Sequence, residues 1–513
     1  MALDFVLSWF LKKRKHQIDL FRQYPIEVQQ EIFNSNLGLA KDTQYGKEFG
    51  FGSIASRKEF AKEVPIVNYE KLHPWINRCI EGEQNLLWPT EIKWFAKSSG
   101  TTANRSKFIP VSKESLEDCH YKGGKDLLTL FYDINPQARL YNGKCLILGG
   151  TSQLNENSQG SYFGDLSAII IKNLPFWVEY KRTPTMDIAL MDQWEDKIER
   201  MAQTTSKEDV TNIAGVPSWT MVLIKRILEI TGKDNIMDVW PNLQLYMHGG
   251  VSFKPYRDWY RNMMPANKVT FLESYNASEG YFGVQDRTEI NDMLLMLDYG
   301  IYFEFIPKGE WDKDNPETIT LEEVEIGKPY ALVISTNGGL WRYKIGDTIA
   351  FTSKFPFRFN IVGRTKLFIN AFGEEVVIEN AESAIHMASK RTNCTVKEYT
   401  AAPIFMEDTE TGGHEWIIEF ETEPKSITEF KTILDNHLKA VNSDYEAKRS
   451  FDLSLREPKI TVAPKNTFYL WLKSRGKLGG QHKVPRLAND RVFIDEILDF
   501  IKDEKTNAHS YSW

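Results

Sequence analysis

The sequence predicts an α/β fold built from a large N-terminal α/β domain and a smaller α+β C-terminal domain. Its 513 residues are too many for one ordinary hydrophobic core. After a helical beginning, strand-like segments such as KCLILGG alternate with helical ones such as WTMVLIKRILEITG, which is typical of an α/β sheet. Past about residue 370, the strand-like segments NCTVKEYTAAPIFM and HEWIIEFET precede one long helical segment, which indicates a separate α+β unit. We place the boundary in GRTKLFINAFGEE, so that the domains are residues 1–368 and 369–513.

The composition supports a folded protein and argues against several classes of function. Hydrophobic residues make up 42% and aromatic residues 13%, enough for large buried cores and too many for a disordered chain. The net charge of −7, with both signs interspersed, argues against a nucleic-acid partner but leaves room for a local basic pocket. The four cysteines are far apart and form no CxxC motif, so we expect buried, reduced thiols in a cytoplasmic protein.

The first residues raise the question of a membrane segment. The apolar stretch Leu3–Leu11 is too short to span a bilayer, and its basic cluster Lys12–Lys15 follows the apolar run, the reverse of a signal peptide. We therefore expect a first helix that packs on the body of the protein. A weakly interfacial amphipathic helix is the alternative. No other stretch approaches the length of a membrane span.

The segment KSSGTTANRSKFIPVS, residues 97–112, is dense in small hydroxyl side chains around one glycine. Phosphate oxygens are held by backbone N–H groups, hydroxyl donors and a nearby cation, and glycine lets the backbone approach closely. The segment supplies the donors and two candidate cations: Ser98, Ser99, Gly100, Thr101, Thr102, Arg105 and Lys107. An exposed turn with capping serines has the same composition, so the segment alone leaves both interpretations open.

Two further motifs suit parts of a nucleotide. In ESYNASEGYFG, Tyr275 offers a ring that stacks on a purine and Glu279 offers one carboxylate, which suits Mg²⁺ beside a polyphosphate. In GGLWRYKIGDTIAF, Asp347 follows a strand and suits the two ribose hydroxyls. An ordinary turn competes with each interpretation.

The remaining candidates lie at strand ends and in a late loop. Gly249 and Gly250 follow the apolar segment NLQLYMH, and Arg364 ends the segment FNIVG. Lys483 lies in the loop GGQHKVPRL, where it is a candidate phosphate-binding cation or an ordinary solvated lysine. A Walker A loop, HExxH and GxSxG are all absent from the sequence, which removes the simplest NTPase, metalloprotease and hydrolase interpretations.

Taken in order, these motifs resemble those of the adenylate-forming superfamily, in which motifs of the types SGTTG, GGAP, YGxTE, YRTGD and GRxD precede a C-terminal lysine. Within it, the chain is most similar to the acyl-acid amido synthetases, the auxin-responsive, hormone-conjugating enzymes of plants and their bacterial relatives. Their SSGTT, YxxSE, YRxGD and QxKxPR patterns correspond here to SSGTT, YNASE, YKIGD and QHKVPR. The resemblance extends from about residue 30 to 500.

The resemblance implies a domain of adenylate-forming type, a mobile C-terminal domain and a role for each motif. The implied ATP-binding residues are Ser98, Ser99, Gly100, Thr101 and Thr102 at the phosphates, Gly249 and Gly250 at the adenine, Tyr275 stacked on the base, Ser278 beside it, Asp347 at the ribose, and Arg364 behind the ribose or phosphate. The implied catalytic residues are Glu279, as the Mg²⁺ ligand, and Lys483, which approaches the α-phosphate; Lys366 is the implied hinge.

The chain also departs from the family pattern. YNASE differs from the plant pattern YASSE at its second and third positions, and Ala103–Asn104 replaces a glycine-rich tail after SSGTT. For the acid itself, Ser218 and Trp219 at the start of a predicted helix are candidate binding residues, although a core tryptophan explains Trp219 equally well.

The expected function is that of an ATP-dependent acyl-acid amido synthetase, an acid–amino acid ligase that uses ATP and Mg²⁺. It would convert a carboxylic acid to acyl-AMP and pass the acyl group to an amine. The alternatives are an acyl-CoA or other acyl-adenylate synthetase with a thiol acceptor, and a catalytically silent nucleotide-binding protein. We expect a cytoplasmic monomer or homodimer without a nucleic-acid partner.

Overall fold

The structure is a computed structural model that describes residues 2–98, 107–149, 154–174, 176–191, 193–251, 253, 256–311, 313–365, 368–406, 411–449, 455–475 and 485–510. The described chain forms two compact units, a large one of residues 1–98, 107–253 and 257–365, and a small one that consists mainly of residues after 365. This division lies close to the boundary at residue 368, which stays a prediction.

The helices carry the labels α1 to α17 in chain order. They are α1 (Ala2–Gln23), α2 (Pro25–Ala40), α3 (Gln44–Glu48), α4 (Arg57–Glu63), α5 (Tyr69–Ile80), α6 (Lys122–Ile134), α7 (Leu166–Lys172), α8 (Phe176–Lys181), α9 (Met186–Ala189), α10 (Trp194–Thr205), α11 (Pro217–Thr231), α12 (Arg257–Met263), α13 (Ile378–Thr392), α14 (Ile427–Val441), α15 (Ser443–Arg449), α16 (Thr467–Ser474) and α17 (Val492–Ser510). A π-helical segment, Ser115–Tyr121, leads directly into α6.

The strands carry the labels β1 to β20. They are β1 (Trp94–Ser98), β2 (Lys107–Val111), β3 (Lys144–Ile147), β4 (Asn155–Glu156), β5 (Tyr162–Asp165), β6 (Arg182–Thr183), β7 (Val210–Ala214), β8 (Leu245–Gly249), β9 (Thr270–Ala277), β10 (Gly280–Val284), β11 (Met293–Leu295), β12 (Ile301–Pro307), β13 (Pro329–Thr336), β14 (Tyr343–Lys354), β15 (Phe357–Arg364), β16 (Phe368–Ile369), β17 (Val376–Val377), β18 (Thr395–Ile404), β19 (Gly413–Thr422) and β20 (Lys459–Ala463).

The large unit is organised by a mixed sheet with the strand order β12-β13-β14-β15-β11-β10-β9-β8-β7-β3-β6. Strands β6, β3, β7, β8 and β9 run parallel to their neighbours, so their carboxyl ends meet at one edge. The remaining strands are antiparallel, and β9 turns back into β10. In open α/β sheets ligands bind at the carboxyl ends of parallel strands, so this edge is where a site is expected.

Local sequence explains where the helix beside that edge begins and ends. Pro217 opens α11, where its missing N–H costs no hydrogen bond. Gly232 ends the helix at a φ of +63°, the left-handed conformation that glycine adopts without steric cost. Strand β7 ahead of it is buried over four of its five residues, as expected of a parallel strand covered on both faces.

A second sheet, β2-β1-β5-β4, carries the hydroxyl-rich segment of the sequence. Strands β1 and β2 are antiparallel, and Ser98 pairs with Lys107 at their open end. Residues 99–106, which join these two strands, lie outside the described part of the chain.

The small unit has the predicted α+β composition. Strands β18 and β19 are antiparallel, β20 joins β19 in parallel, and α13 packs beside α14. Phe468 and Trp471 of α16 share a core with Ile494 and Ile497 of α17. The predicted α/β fold class with a smaller second unit is therefore confirmed.

The four cysteines are free, as predicted. Cys79, Cys119 and Cys394 are buried, whereas Cys145 is only partly buried. Among the described helices, none is both long enough and apolar enough to cross a membrane.

The second half of α1 packs on the large unit through a buried ion-pair network. The guanidinium of Arg14 donates to both oxygens of Asp126 in α6 at 2.7 and 2.5 Å, and to both oxygens of Asp298 at 2.6 and 2.9 Å. Arg14 and Asp126 are 2% and 0% exposed. The structure thus agrees with the expected docking for this half of the helix. The interfacial alternative concerns side chains of residues 2–10, which lie outside the described part.

Replacing Asp126 tests how strongly this network holds α1. Asp126→Asn leaves the buried Arg14 guanidinium with one carboxylate fewer, and we expect the free energy of unfolding to fall by about 3 kcal/mol. The measurement is urea unfolding followed by tryptophan fluorescence. The matched control is Asp133→Asn, because Asp133 is on the same helix, lies 3.4 Å from Lys15 of α1 and is half exposed. A surface pair of this kind contributes at most about 1 kcal/mol. Equal losses in the two variants would contradict the account.

Candidate functional site

The carboxyl edge of the parallel strands places the two predicted glycines beside β9. Gly249 pairs with Ser274, and a Cβ on Gly249 would lie 2.3 Å from the Ser274 carbonyl oxygen, a distance that no other residue tolerates. Gly250 has a φ of +82°, and its Cβ position faces Val216 just ahead of α11. The turn therefore brings the ends of β7, β8 and β9 together with a minimum of side-chain bulk.

One carboxylate connects three strands at this edge. The Tyr275 hydroxyl, from β9, donates to Asp347 Oδ2 in β14, and Arg364 Nε, from β15, donates to Asp347 Oδ1 at 2.5 Å. Asp347 and Arg364 are also direct partners in the β14–β15 ladder. The ring of Tyr275 packs against Phe282, with the ring centres 4.8 Å apart. Because each carboxylate oxygen has two lone pairs, Asp347 keeps acceptor capacity for further hydroxyl groups.

The charges of this cluster are held in fixed states. Burial, and then the charge of Asp347, raise the pKa of Tyr275 well above its ordinary value, so the phenol remains a donor. Burial on its own would lower the pKa of Arg364, but the Asp347 carboxylate outweighs it and the pKa is raised. The Tyr275 phenol and the Arg364 guanidinium therefore both keep their protons beside Asp347. Tyr275 is only 7% exposed, and its hydroxyl is used in the hydrogen bond to Asp347.

Glu279 lies in the two-residue turn between β9 and β10 and is partly buried. Among the described residues no cation lies within ion-pair distance of its carboxylate. Burial raises the pKa of Glu279, while the nearby charge of Lys107 acts in the opposite direction. The pKa of Tyr343 is raised well above normal, first by burial and then by Glu279, which places this phenol near the same carboxylate. Ser278, in the same turn, is also partly buried.

Lys107 relates the hydroxyl-rich segment to Glu279. It begins β2, pairs with Ser98 across the ladder, and acts electrostatically on Glu279, so both ends of the 99–106 connection lie on the Glu279 side of the large unit. The other predicted residues of the segment, Ser99, Gly100, Thr101 and Thr102, lie outside the described residues, as do Lys366 and Lys483.

The two candidate acid-binding residues lie at the start of α11. Ser218 is fully buried, and within the described part of the chain its hydroxyl has no hydrogen-bond partner. Trp219 is 8% exposed. Val216 brings this helix start within 3.4 Å of the Cβ position of Gly250, so the two residues are near the glycine turn but are not joined to the Asp347 cluster by any described contact.

Sequence reasoning missed two side chains on the other face of β9. His120 Nδ1, in the π-helical segment, lies 3.1 Å from Oδ1 of Asn276. No local pattern in SLEDCHY distinguishes a π-helix from an α-helix, so no sequence signal would have located His120. Asn276 was visible only as a departure from the family pattern. In the described residues, no group of three or more His, Cys, Asp or Glu side chains is arranged to hold a metal ion.

Asp347→Asn tests the central carboxylate. The resemblance implies that Asp347 holds the ribose hydroxyls, and an amide has one acceptor oxygen where the carboxylate has two. On that assignment we expect the KM for ATP to rise at least 10-fold, the loss of a charged hydrogen bond. The measurement is acid-dependent ATP–pyrophosphate exchange at varied ATP. The control is Asp292→Asn, which alters another buried Asp–Arg pair, with Arg287, at the far end of β14. A KM for ATP that rises equally in both variants would contradict the assignment.

Comparison with known protein families gives three matches in order along the chain. Residues 14–269 match the GH3 family N-terminal domain, residues 294–364 the GH3 family central domain and residues 379–492 the GH3 family C-terminal domain. Asp347 and Arg364 lie within the central match, whereas Tyr275, Ser278 and Glu279 fall between the first two matches.

Individual relatives cover nearly the whole chain at low identity. Indole-3-acetic acid-amido synthetase GH3.3 of Arabidopsis thaliana is 24% identical, over 94% of this chain and 92% of that protein. A solved structure of GH3.15 acyl acid amido synthetase has a TM-score of 0.60 at 18% identity and covers 96% of this chain and 95% of that one. A structure of 2-hydroxyisobutyryl-CoA ligase with 2-HIB-AMP and CoA has a TM-score of 0.57 at 13% identity, covering 94% and 93%.

At these identities the two solved structures show the fold alone, which is the large-and-small-unit arrangement predicted from the sequence. The family matches go further, because all three domain models align in their natural order and together span most of the chain. The predicted family is therefore confirmed, and this chain belongs to the GH3 family.

Proposed function

We propose that this protein is an ATP-dependent acyl-acid amido synthetase that activates a carboxylic acid as acyl-AMP and transfers the acyl group to the amine of an amino acid. The observation that carries the proposal is the convergence of Tyr275, Asp347 and Arg364 with Glu279 at one strand edge of a GH3-family fold. This agrees with the names of its relatives, which are amido synthetases.

The chemistry requires an acid to be made reactive before an amine attacks it. A carboxylate oxygen forms a bond to the α-phosphorus of ATP while the bond to pyrophosphate breaks. The amine nitrogen then forms a bond to the acyl carbon, AMP leaves with one oxygen of the original acid, and the nitrogen loses a proton. In the first step an anion attacks a polyanion, so the protein must supply cations and oriented donors.

We assign the described residues to ATP by their chemistry. Asp347 holds the ribose hydroxyls, and Arg364, whose charge is fixed by Asp347, lies behind the ribose or phosphate. Gly249 and Gly250, which add no side-chain bulk at the ends of the parallel strands, would line the adenine. Tyr275 orients Asp347, and stacking of its ring on the base stays a proposal.

The phosphate assignments combine three described residues with four that the family resemblance implies. Ser98 would mark the start of the phosphate-binding connection, with Ser99, Gly100, Thr101 and Thr102 as its donors. Ser278, in the same turn as Glu279, would lie beside the nucleotide. Lys107 is the described cation nearest in sequence to this connection, and its effect on Glu279 supports a position close to the phosphates.

The residues present fit a Mg²⁺ ion that arrives with ATP. Glu279 is a partly buried carboxylate with no ion pair among the described residues, and Mg²⁺ typically takes one or two protein carboxylates plus phosphate oxygens and waters. When bound, the ion would neutralise phosphate charge. Glu279 would hold it, and Tyr343 would help to orient Glu279.

The remaining roles stay proposals from the family resemblance. Lys483 would approach the α-phosphate and the acid in the first step, Lys366 would serve as the hinge, and Ser218 and Trp219 would line the acid site. A C-terminal domain that closes over the site would exclude water from acyl-AMP. The cytoplasmic location and the monomeric or homodimeric state likewise stay predictions.

Removing either assigned catalytic residue should abolish acyl-AMP formation while leaving the protein folded. Glu279→Ala removes the carboxylate proposed to hold Mg²⁺, and Lys483→Ala removes the cation proposed to offset the charge that develops at phosphorus. We therefore expect acid-dependent pyrophosphate exchange to fall by about 10²–10³-fold or more. Melting temperature checks the fold. The control is Lys473→Ala, an exposed lysine in the last turn of α16. Exchange that persists in Lys483→Ala would show that this lysine is wrongly assigned.

The acceptor is tested with the wild-type protein. Incubation with ATP, a panel of carboxylic acids and either the twenty amino acids or CoA should give an acyl-amino acid and no acyl-CoA, as read by mass spectrometry. Acyl-CoA as the only product would favour the thiol-using alternative. ATP binding without exchange for any acid in the panel would favour a catalytically silent protein.

A further inference from the structure

The strand that carries Tyr275 has a polar side chain on its opposite face. Side chains alternate along a strand, so Asn276 points away from Tyr275 and from the Asp347 cluster. Asn276 is exposed, while its partner His120 is only 5% exposed. His120 is therefore the buried member of the pair, and Asn276 is the member that solvent or a ligand can reach.

The contact with His120 determines which group of the Asn276 amide is left for a ligand. Burial lowers the pKa of His120 to about 4, despite the opposing hydrogen bond with Asn276, so the ring is neutral near pH 7. Oδ1 of Asn276 lies 3.1 Å from His120 Nδ1, and the tautomer protonated on Nδ1 donates to this oxygen. The amide nitrogen, Nδ2, belongs to an exposed side chain and can then donate to a ligand.

The segment that carries His120 is fixed against the same hairpin. It is π-helical from Ser115 to Tyr121, a geometry that is rare and frequently found at functional sites. Cys119, which directly precedes His120, accepts a hydrogen bond at Sγ from the backbone N–H of Tyr281, at 3.2 Å. Tyr281 is the ladder partner of Asn276. His120 is thus held in register with the end of β9.

Asn276 is also close to the place where the acid must react. Only Ala277 and Ser278 separate it from Glu279, across one tight turn. If Glu279 holds the metal at the phosphates, the attacking carboxylate must reach the α-phosphorus beside this turn, in line with the bond to the departing pyrophosphate. The exposed Asn276 amide is three residues from Glu279 and so lies close to that approach.

We propose that the Asn276 amide binds a carboxylate oxygen of the acid substrate and that His120 is the positioning residue that orients this amide. The plant pattern YASSE has alanine at this position, which offers no side-chain donor, so the proposed contact distinguishes this chain from that pattern. The inference rests on the proposed function and adds to it the residue that receives the acid's carboxylate.

The test is steady-state ATP–pyrophosphate exchange with benzoate, phenylacetate, indole-3-acetate and hexanoate, followed by KM values for the best of these acids and for ATP. In Asn276→Ala the KM for the acid should rise about 10-fold, the loss of one hydrogen bond to a charged group, while the KM for ATP stays within about twofold. Asn276→Asp should raise the KM for the acid further than alanine does, because a carboxylate opposes a carboxylate. His120→Leu should raise the KM for the acid by less than Asn276→Ala does, because the amide remains but is no longer oriented.

The matched control is Asn135→Ala. Its amide donates to Thr270 Oγ1 at 3.0 Å, at the other end of the same strand, so it removes a comparable bond to β9 and should leave both KM values unchanged. Melting temperatures confirm that each variant folds.

The possible outcomes separate this inference from the function on which it rests. A KM for the acid that is unchanged in Asn276→Ala, or KM values for acid and ATP that rise together, would overturn the role of Asn276 and leave the synthetase proposal standing. A KM for the acid that is no higher in Asn276→Asp than in Asn276→Ala would overturn the carboxylate contact. Wild-type protein that binds ATP but exchanges pyrophosphate with none of the acids would overturn both proposals.

Discussion

The carboxylate of Asp347 is the interaction on which the rest of the site depends. It accepts from Tyr275 on one strand and from Arg364 on another while it is part of a third, so the three backbones cannot shift independently without breaking a charged hydrogen bond. The two donors use one lone pair on each oxygen and hold the group in one orientation. An acceptor prepared in this way loses little further freedom when it binds a ligand, which is the physical basis of preorganised recognition.

The two faces of β9 carry side chains with different partners. Tyr275 faces Asp347, while Asn276 faces the π-helical segment, and the turn that follows carries Glu279. Under the proposed function, this single strand end would supply a contact for the ribose, one for the metal and one for the acid. It would thereby orient the two substrates toward each other, which lowers the barrier of a two-substrate reaction.

The sequence predicted most of the fold and the parts of the site that lie on short motifs. The alternation of apolar strands and helices follows from periodicity, and Gly249, Glu279 and Asp347 were found because their residue types are constrained by backbone approach or by charge. The phenol of Tyr275 was assigned to the base, but its bond to Asp347 depends on two strands 72 residues apart in sequence, a contact no local pattern encodes. For the same reason His120 could not be found. The helix type around it and its distance from Asn276 are properties of the folded chain.

The central claim is that the acid attacks the α-phosphorus of ATP before the amine reacts. The most direct measurement uses an acid with both carboxylate oxygens replaced by ¹⁸O, together with ATP and an amino acid, and determines the isotope content of the products by mass spectrometry. The account predicts one ¹⁸O in AMP, one in the amide and none in pyrophosphate. ADP with labelled phosphate, or AMP without label, would contradict it.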